Sequence, residues 1–129
     1  VYATNGVIQT SDKRQKSNIS DIEYGLDTVM KMRPVTYQWK NKPERGRKVG
    51  LIAQELIGII PEIVDVGEDE EHMLGINYAE LTPILVKAIQ EQQKELESLK
   101  EENSALIEKM EDQNSRIRRL EEITAKILK

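Results

Sequence analysis

Residues 77–129 read NYAELTPILVKAIQEQQKELESLKEENSALIEKMEDQNSRIRRLEEITAKILK, and this run decides the fold. With Ile89 set at heptad position a, the a series is Thr82, Ile89, Leu96, Asn103, Met110, Ile117 and Thr124. The d series is Leu85, Gln92, Leu99, Leu106, Gln113, Leu120 and Ile127. Apolar side chains hold most of both series, a sustained seven-residue repeat that argues for a coiled coil over an ordinary amphipathic helix. Gln92, Asn103, Gln113 and Thr124 interrupt the seam, and polar layers of this kind cost stability while they fix register and strand number. At about 1.5 Å per residue, Tyr78 to Ile127 spans roughly 75 Å, so the seam outruns the rest of the chain and needs partners. Asn77-Tyr78-Ala79-Glu80 resembles a capping-box start, and Pro83 removes one backbone bond near the first turns.

Upstream of this helix the pattern shortens. Glu62–Val66 and Met73–Ile76 read as two strands of a hairpin around the acidic loop Gly67-Glu68-Asp69-Glu70-Glu71-His72. Val49–Ile60 begins as a short apolar segment and turns helical through Ala53, Leu56, Ile57 and Ile60 until Pro61 stops it. Val35–Lys40 alternates Val35, Tyr37 and Trp39 against Thr36, Gln38 and Lys40, the pattern of a half-buried strand. Ser20-Asp21-Ile22-Glu23 has the form of a capping box, and Ile22, Leu26, Val29 and Met30 follow at helical spacing, predicting a helix over Asp21–Met32. Val1–Thr10 alternates loosely around the turn dipeptide Asn5-Gly6.

One polar run remains, Ser11-Asp12-Lys13-Arg14-Gln15-Lys16-Ser17-Asn18-Ile19. A serine hydroxyl and a lysine amine are the parts of a nucleophile and base pair, in which neutral lysine takes the serine proton. Spacing sets a condition: an extended chain would separate Ser11 and Lys16 by roughly 16 Å. Coiled into a turn, the separation falls to roughly 8 Å and the amine can reach back. A solvated lysine with a pKa near 10.4 is neutral only about once in 2,500 molecules at pH 7, so a base in this role needs desolvation.

Composition excludes other chemistries. The 129 residues contain no cysteine, which removes disulfides, thiol nucleophiles and Cys-ligated zinc. His72 is the sole histidine and lies in the acidic loop, so neither a conventional triad nor a two-His metal site is expected. The scattered glycines form no phosphate-binding motif, so no cofactor is expected. No apolar run reaches the roughly 18 residues of a membrane span. Residues 1–50 carry ten Lys/Arg against five Asp/Glu, and residues 51–129 carry nine against eighteen, so the front is basic and the back acidic. Arg33, Tyr37, Trp39 and Lys40 beside the basic loop Asn41–Lys48 suggest a nucleic-acid patch. Tyr37 and Trp39 are expected on the buried strand face, so no nucleic-acid partner is expected.

The ordered blocks together are specific. Ser11, Asp12, Arg14, Lys16, Asn18 and Ile19 match S-D-x-R-x-K-x-N-I; then come Arg33–Lys40, Gly50–Glu55, Pro61–Val64 and Asn77–Leu85. In these the chain resembles the C-terminal intramolecular chaperone domain of phage endosialidases and tail fibres, also called peptidase family S74. Gln15 departs from the leucine usual at that place. The resemblance implies an α+β fold, a small globular domain of short strands and helices followed by a long helix in a parallel trimeric coiled coil. Residues 1–10 would be the end of an upstream β-rich protein, 11–83 the chaperone and autoprotease domain, and 84–129 the trimerisation helix. It implies cleavage between Thr10 and Ser11, with Ser11 as nucleophile, Lys16 as general base, and Asp12 and Asn18 in support. The implied partners are two further copies and the upstream β-structured segment, with no membrane. The implied place is a virion tail fibre or spike, assembled in host cytoplasm, or a bacterial surface. The alternative is a coiled-coil interaction module that never cuts.

Overall fold

The computed structural model describes residues 2–3, 6–7 and 9–129. Asn5 of the expected Asn5-Gly6 turn lies outside the described residues. Strands β1 (Tyr2–Ala3) and β2 (Gly6–Val7) pair antiparallel, Tyr2 opposite Val7.

The buried core forms against the N-terminal turns of the long helix, α3 (Tyr78–Ile127). Leu81, Ile84 and Ala88 are buried on one of its faces. Leu81 and Ile84 join Leu56, Ile60 and Ile63 in the core, with Ile22, Tyr24, Val29, Met32, Leu51, Ile59, Val64 and Ile76 packed around them. The apolar moment of the first turns thus serves the globule, as an amphipathic helix on a core requires.

The seam points elsewhere. At about 100° per residue, positions 82, 85, 89, 92 and 96 centre roughly a quarter-turn away from 81, 84 and 88. Ile89 is 64% exposed, Leu99 55%, Leu106 56% and Leu120 63%. The globule therefore sits beside the seam and leaves it open. Val86, Ile107, Ile123 and Leu128 flank the a and d positions and are exposed as well, widening the apolar stripe. The helix runs unbroken through Pro83, whose ring lacks only the donor that would have met the Ala79 carbonyl.

Short elements fill the remainder. Strands β3 (Val35–Tyr37) and β4 (Lys48–Gly50) pair antiparallel, as do β5 (Val64–Val66) and β6 (Leu74–Ile76), the latter forming the expected hairpin. Its acidic loop is closed by Gly67 N–H to the Met73 carbonyl at 2.9 Å and Met73 N–H to Asp69 Oδ1 at 3.0 Å. Helices α1 (Leu26–Met30) and α2 (Ala53–Leu56) are single turns. Short strands followed by one dominant helix give the expected α+β arrangement.

Four local expectations are corrected. The helix expected over Asp21–Met32 is confined to Leu26–Met30, because Asp21–Gly25 stays irregular and tucks Ile22 and Tyr24 against the core. Tertiary contacts hold it there. The Lys87 ammonium donates to the Ile22 carbonyl, and Glu91 Oε2 accepts the Leu26 N–H at 2.9 Å, capping α1 from another helix. Gly25 is buried beneath that carboxylate, and a Cβ at this position would fall within 2.7 Å of the Glu91 carboxyl carbon. The local capping box loses to this arrangement because it would pull Ile22 and Tyr24 out of register with the core.

The helix expected to Ile60 ends at Leu56: Gly58 disfavours helix, and Ile60, preceding Pro61, takes φ −139° and ψ 81°. The strand expected to Lys40 stops at Tyr37, because Trp39 turns the chain by accepting the Lys42 N–H at 3.2 Å. Trp39 is consequently 50% exposed rather than buried, standing edge-on to Tyr37 with ring centroids 5.2 Å apart. At the start of α3 the Asn77 side chain makes no cap bond. Its backbone N–H is taken instead by the Ile63 carbonyl at 2.8 Å, and the Tyr78 hydroxyl accepts the Leu51 N–H at 2.9 Å.

Candidate active site

The polar run folds as a turn. Asp12 stands at the start of a 3-10 turn, Lys13–Gln15, with extended dihedrals, φ −68° and ψ 128°. Its Oδ1 accepts the Arg14 N–H at 2.9 Å, which satisfies a donor the turn cannot satisfy within itself. The turn is closed by Gln15 N–H to the Asp12 carbonyl at 3.0 Å and Lys16 N–H to the Lys13 carbonyl at 3.1 Å. Aspartate is well suited here because its short side chain reaches its own backbone two residues on.

Arg14 completes the cap from its side chain. Its Nε lies 3.1 and 3.2 Å from the two Asp12 oxygens, and Nη2 lies 2.6 Å from Oδ2, a fork on a carboxylate. The guanidinium, together with the Arg14 backbone N–H, holds the Asp12 carboxyl below the usual carboxylate range. Arg14 is raised in turn by the same bond.

The consequence is felt at the ends of the run. Lys16 leaves the turn in an extended conformation, φ −110° and ψ 143°, and its Nζ donates to Ser11 Oγ at 2.8 Å. That heavy-atom separation lies inside the range over which a base removes a proton from a nucleophile. Ser11 and Lys16 are both exposed, as is Thr10 on the other side of the candidate scissile bond. Asn18 contributes through its backbone, at φ 52°, a left-handed conformation that asparagine tolerates better than most side chains. The structure thus brings Ser11, Asp12 and Lys16 together on one turn and places Asn18 where the chain leaves it.

Sequence reasoning passed over Arg14 as Asp12's partner, although an acid and a base two residues apart at a turn start was a usable signal. Glu91 and Lys87 escaped it because their partners lie 65 residues away. Elsewhere Arg33 is engaged by Glu55, whose carboxyl it lowers, so Arg33 does not join a cationic patch with Lys40. An open groove of about 900 Å³ is lined by Tyr37, Trp39, Met73 and Tyr78 together with Lys40, Lys42 and Arg45.

Comparison with known proteins bears on this turn directly. Residues 11–65 match the family described as chaperone of endosialidase. The chain is 36% identical over 102 residues to the long tail fiber protein Gp37 of Enterobacteria phage M1, covering 74% of this chain and 41% of that protein. It is 36% identical over 96 residues to its counterpart in Enterobacteria phage Ox2, covering 70% and 38%. Against that of Escherichia phage AR1 it is 34% identical over 87 residues, covering 63% and 8%. The chain spans about two fifths of the length of the first two relatives. The family match begins at Ser11, the residue that Lys16 holds, and runs through the β3–β4 pair and α2 into β5. Residues 11–65 of this chain are thus similar to the chaperone of endosialidase family, peptidase family S74.

Proposed function

We propose that this chain is an intramolecular chaperone that assembles a fibre-type protein of a virion tail and then separates from it by cutting between Thr10 and Ser11. Three copies associate through the α3 seam as a parallel coiled coil. That alignment sets the upstream segments in common register and raises their effective concentration. Long-range β pairing between chains is slow because loop-closure entropy is lost before contacts form, and a preassembled trimer reduces that loss.

The exposed seam supports the assembly step. Ile89, Leu96, Leu99, Leu106, Met110, Ile117 and Leu120 are each about half exposed, so leaving them in water forgoes about 1–2 kcal/mol for each side chain that a partner helix would bury. The wide apolar stripe, with Val86, Ile107 and Ile123 beside the a and d positions, favours more than one partner helix around each copy. The tail-fibre relatives point the same way.

The observation that carries the cleavage step is the Lys16 Nζ to Ser11 Oγ contact of 2.8 Å, one residue after Thr10. Neutral Lys16 takes the Ser11 Oγ proton while Oγ bonds to the Thr10 carbonyl carbon, closing a five-membered ring. The ring opens as the Thr10 C–N bond breaks, and the Ser11 nitrogen takes the proton back from Lys16. The resulting ester is hydrolysed by water, whose hydroxyl goes to the Thr10 carboxyl and whose proton restores the Ser11 hydroxyl. In a single chain the pair stands open to solvent, which does not favour this chemistry. Covering by neighbouring copies supplies the desolvation and ties cutting to assembly. Once cut, the upstream trimer cannot retrace its folding route, and its persistence is set by the unfolding barrier.

The test is the intact mass of freshly expressed protein carrying its upstream segment, wild type beside Ser11→Ala and Lys16→Ala. The wild type splits before Ser11 and both variants stay whole while remaining trimeric. The same exposure favours a second reading, a trimerisation module that never cuts. In that case all three proteins stay whole.

A further inference from the structure

We propose that the groove beside β3 takes the acidic loop Gly67–His72 of a neighbouring copy, so that three globules close head to tail around the α3 seam. The proposal rests on the assembly reading above and adds to it a second contact, between unlike faces of adjacent copies.

The groove supplies one half of that contact. It is lined by Tyr37, Trp39 and Tyr78 and by Lys40, Lys42 and Arg45, and the described residues lining it include no aspartate or glutamate. Trp39 and Tyr78 are each 50% exposed, aromatic surface that the globule itself leaves uncovered. Arg33 is engaged by Glu55, whereas no ion pair among the described residues takes Lys40, Lys42 or Arg45. Aromatic rings and arginine are the side chains that carry most of the binding energy at protein interfaces, and the cations add a preference for an acidic partner.

The acidic loop supplies the other half. Glu68, Asp69, Glu70 and Glu71 are consecutive and all exposed. Repulsion among four carboxylates would spread a loose loop, yet this one is held shut. His72 N–H donates to the Asp69 carbonyl at 3.1 Å, His72 Nδ1 lies 3.2 Å from the Gly67 carbonyl, and Met73 N–H donates to Asp69 Oδ1 at 3.0 Å. His72 closes the tip at φ 48°, in the left-handed region. Asp69 is thus used within the loop, and Glu68, Glu70 and Glu71 are left without an ion pair among the described residues. A loop already shaped in this way loses little freedom on docking.

Charge and symmetry select the occupant. A long polyanion is repelled by a chain of net charge −4, while a short acidic loop brings about as much charge as three cations can balance. The chain's own loop adjoins the groove through Met73, yet it forms no ion pair with the groove cations. A parallel seam would hold three globules at one level around the axis, each on the same side of its own α3, so that neighbours meet by unlike faces. Such a contact, repeated by threefold rotation, closes into a ring.

Two experiments on the full chain with its upstream segment decide the matter. The sequence has no cysteine, so introduced ones report without background. Differently tagged chains, one carrying Lys42→Cys or Arg45→Cys and the other Glu68→Cys or Glu70→Cys, are co-expressed and oxidised. A disulfide joining the two tags is expected in at least one of the four pairings, since the bond requires Cα atoms within about 7 Å. No such disulfide in any pairing, in assemblies that keep the mass of a trimer, overturns the proposal and leaves the assembly reading intact. In the second experiment, the concentration of half-assembly is read by light scattering along a dilution series. Lys40→Glu/Lys42→Glu raises it roughly tenfold at low salt, because each exposed pair contributes up to about fivefold and two are lost. Glu68→Lys/Glu70→Lys does the same, and both losses shrink in 1 M salt, where charges are screened beyond about 3 Å. The four substitutions in one chain return assembly to within about threefold of wild type, because the pairs are rebuilt with their signs exchanged. Losses that add rather than cancel overturn the proposal. A wild type that is monomeric at every concentration overturns the assembly reading, and this proposal with it.

Discussion

The contact between Gly25 and Glu91 invites a quantitative test, because one carboxylate performs three tasks there. Glu91 accepts the Leu26 N–H at 2.9 Å, lies 3.8 Å from the Lys87 ammonium, and occupies the space a Cβ on residue 25 would need. A hydrogen bond to a charged group contributes about 1.5–3 kcal/mol when shielded. The Glu91 side chain is 40% exposed, so solvent screening brings the expected loss in Glu91→Ala to about 1–2 kcal/mol. Glu91→Gln keeps an acceptor and loses the charge, so about half of that is expected. Gly25→Ala drives the carboxylate off the Leu26 N–H and costs a similar amount in the wild-type background. The two changes then remove one interaction, and their effects do not add. In the Glu91→Ala background the cost of Gly25→Ala falls by about 1 kcal/mol. Urea titrations followed by Trp39 fluorescence report on the globule, whereas far-ultraviolet circular dichroism is dominated by the 50 residues of α3. Protomer concentration is held constant, since association shifts apparent stability by mass action. Additive effects of the two substitutions, or a Glu91→Ala midpoint equal to wild type, would refute the cap assigned here.

Three further outcomes are expected. Leu99→Asp or Leu106→Asp, on exposed seam positions, lowers the mass in light scattering from that of the proposed trimer to that of a monomer while the Trp39 unfolding signal is retained; an assembly that survives both excludes the seam as the interface. Leu56→Ala, at 1% exposure in the centre of the core, costs about 2–5 kcal/mol in the same urea assay, and a loss below about 1 kcal/mol would mean the core is not assembled around it. Because Arg14 lowers the Asp12 carboxyl in the folded turn, the stabilisation it contributes is present above the ordinary value of 3.8 and is lost as pH falls through the lowered one. The Arg14 amide resonance should therefore hold its position at pH 4 and move only in stronger acid; movement centred above pH 4 would contradict the Asp12 cap.

The amino-acid sequence by itself determined the part of the protein governed by local physics. A seven-residue repeat over residues 82–127 admits little besides a long helix with an apolar stripe, and α3 is that helix, with the stripe exposed. The hairpin of β5 and β6 followed from alternation around a loop too acidic to bury. The turn at Ser11 was legible as a condition, since only a coiled segment lets Lys16 reach back. The tertiary structure decided the rest, because long-range contacts outweigh weak local preferences. Ser20–Glu23 has the residues of a capping box, yet Lys87 and Glu91 hold Asp21–Gly25 out of helix from 65 positions away. Trp39 alternates as a core residue should, yet a turn at the end of β3 leaves it half exposed. The division of α3 into a face buried by the globule and an apolar face left exposed was equally beyond the pattern. Leu81, Ile84 and Leu85 are alike in chemistry, and only the packing of Leu56, Ile60 and Ile63 shows that the first two belong to the core while the third opens the seam.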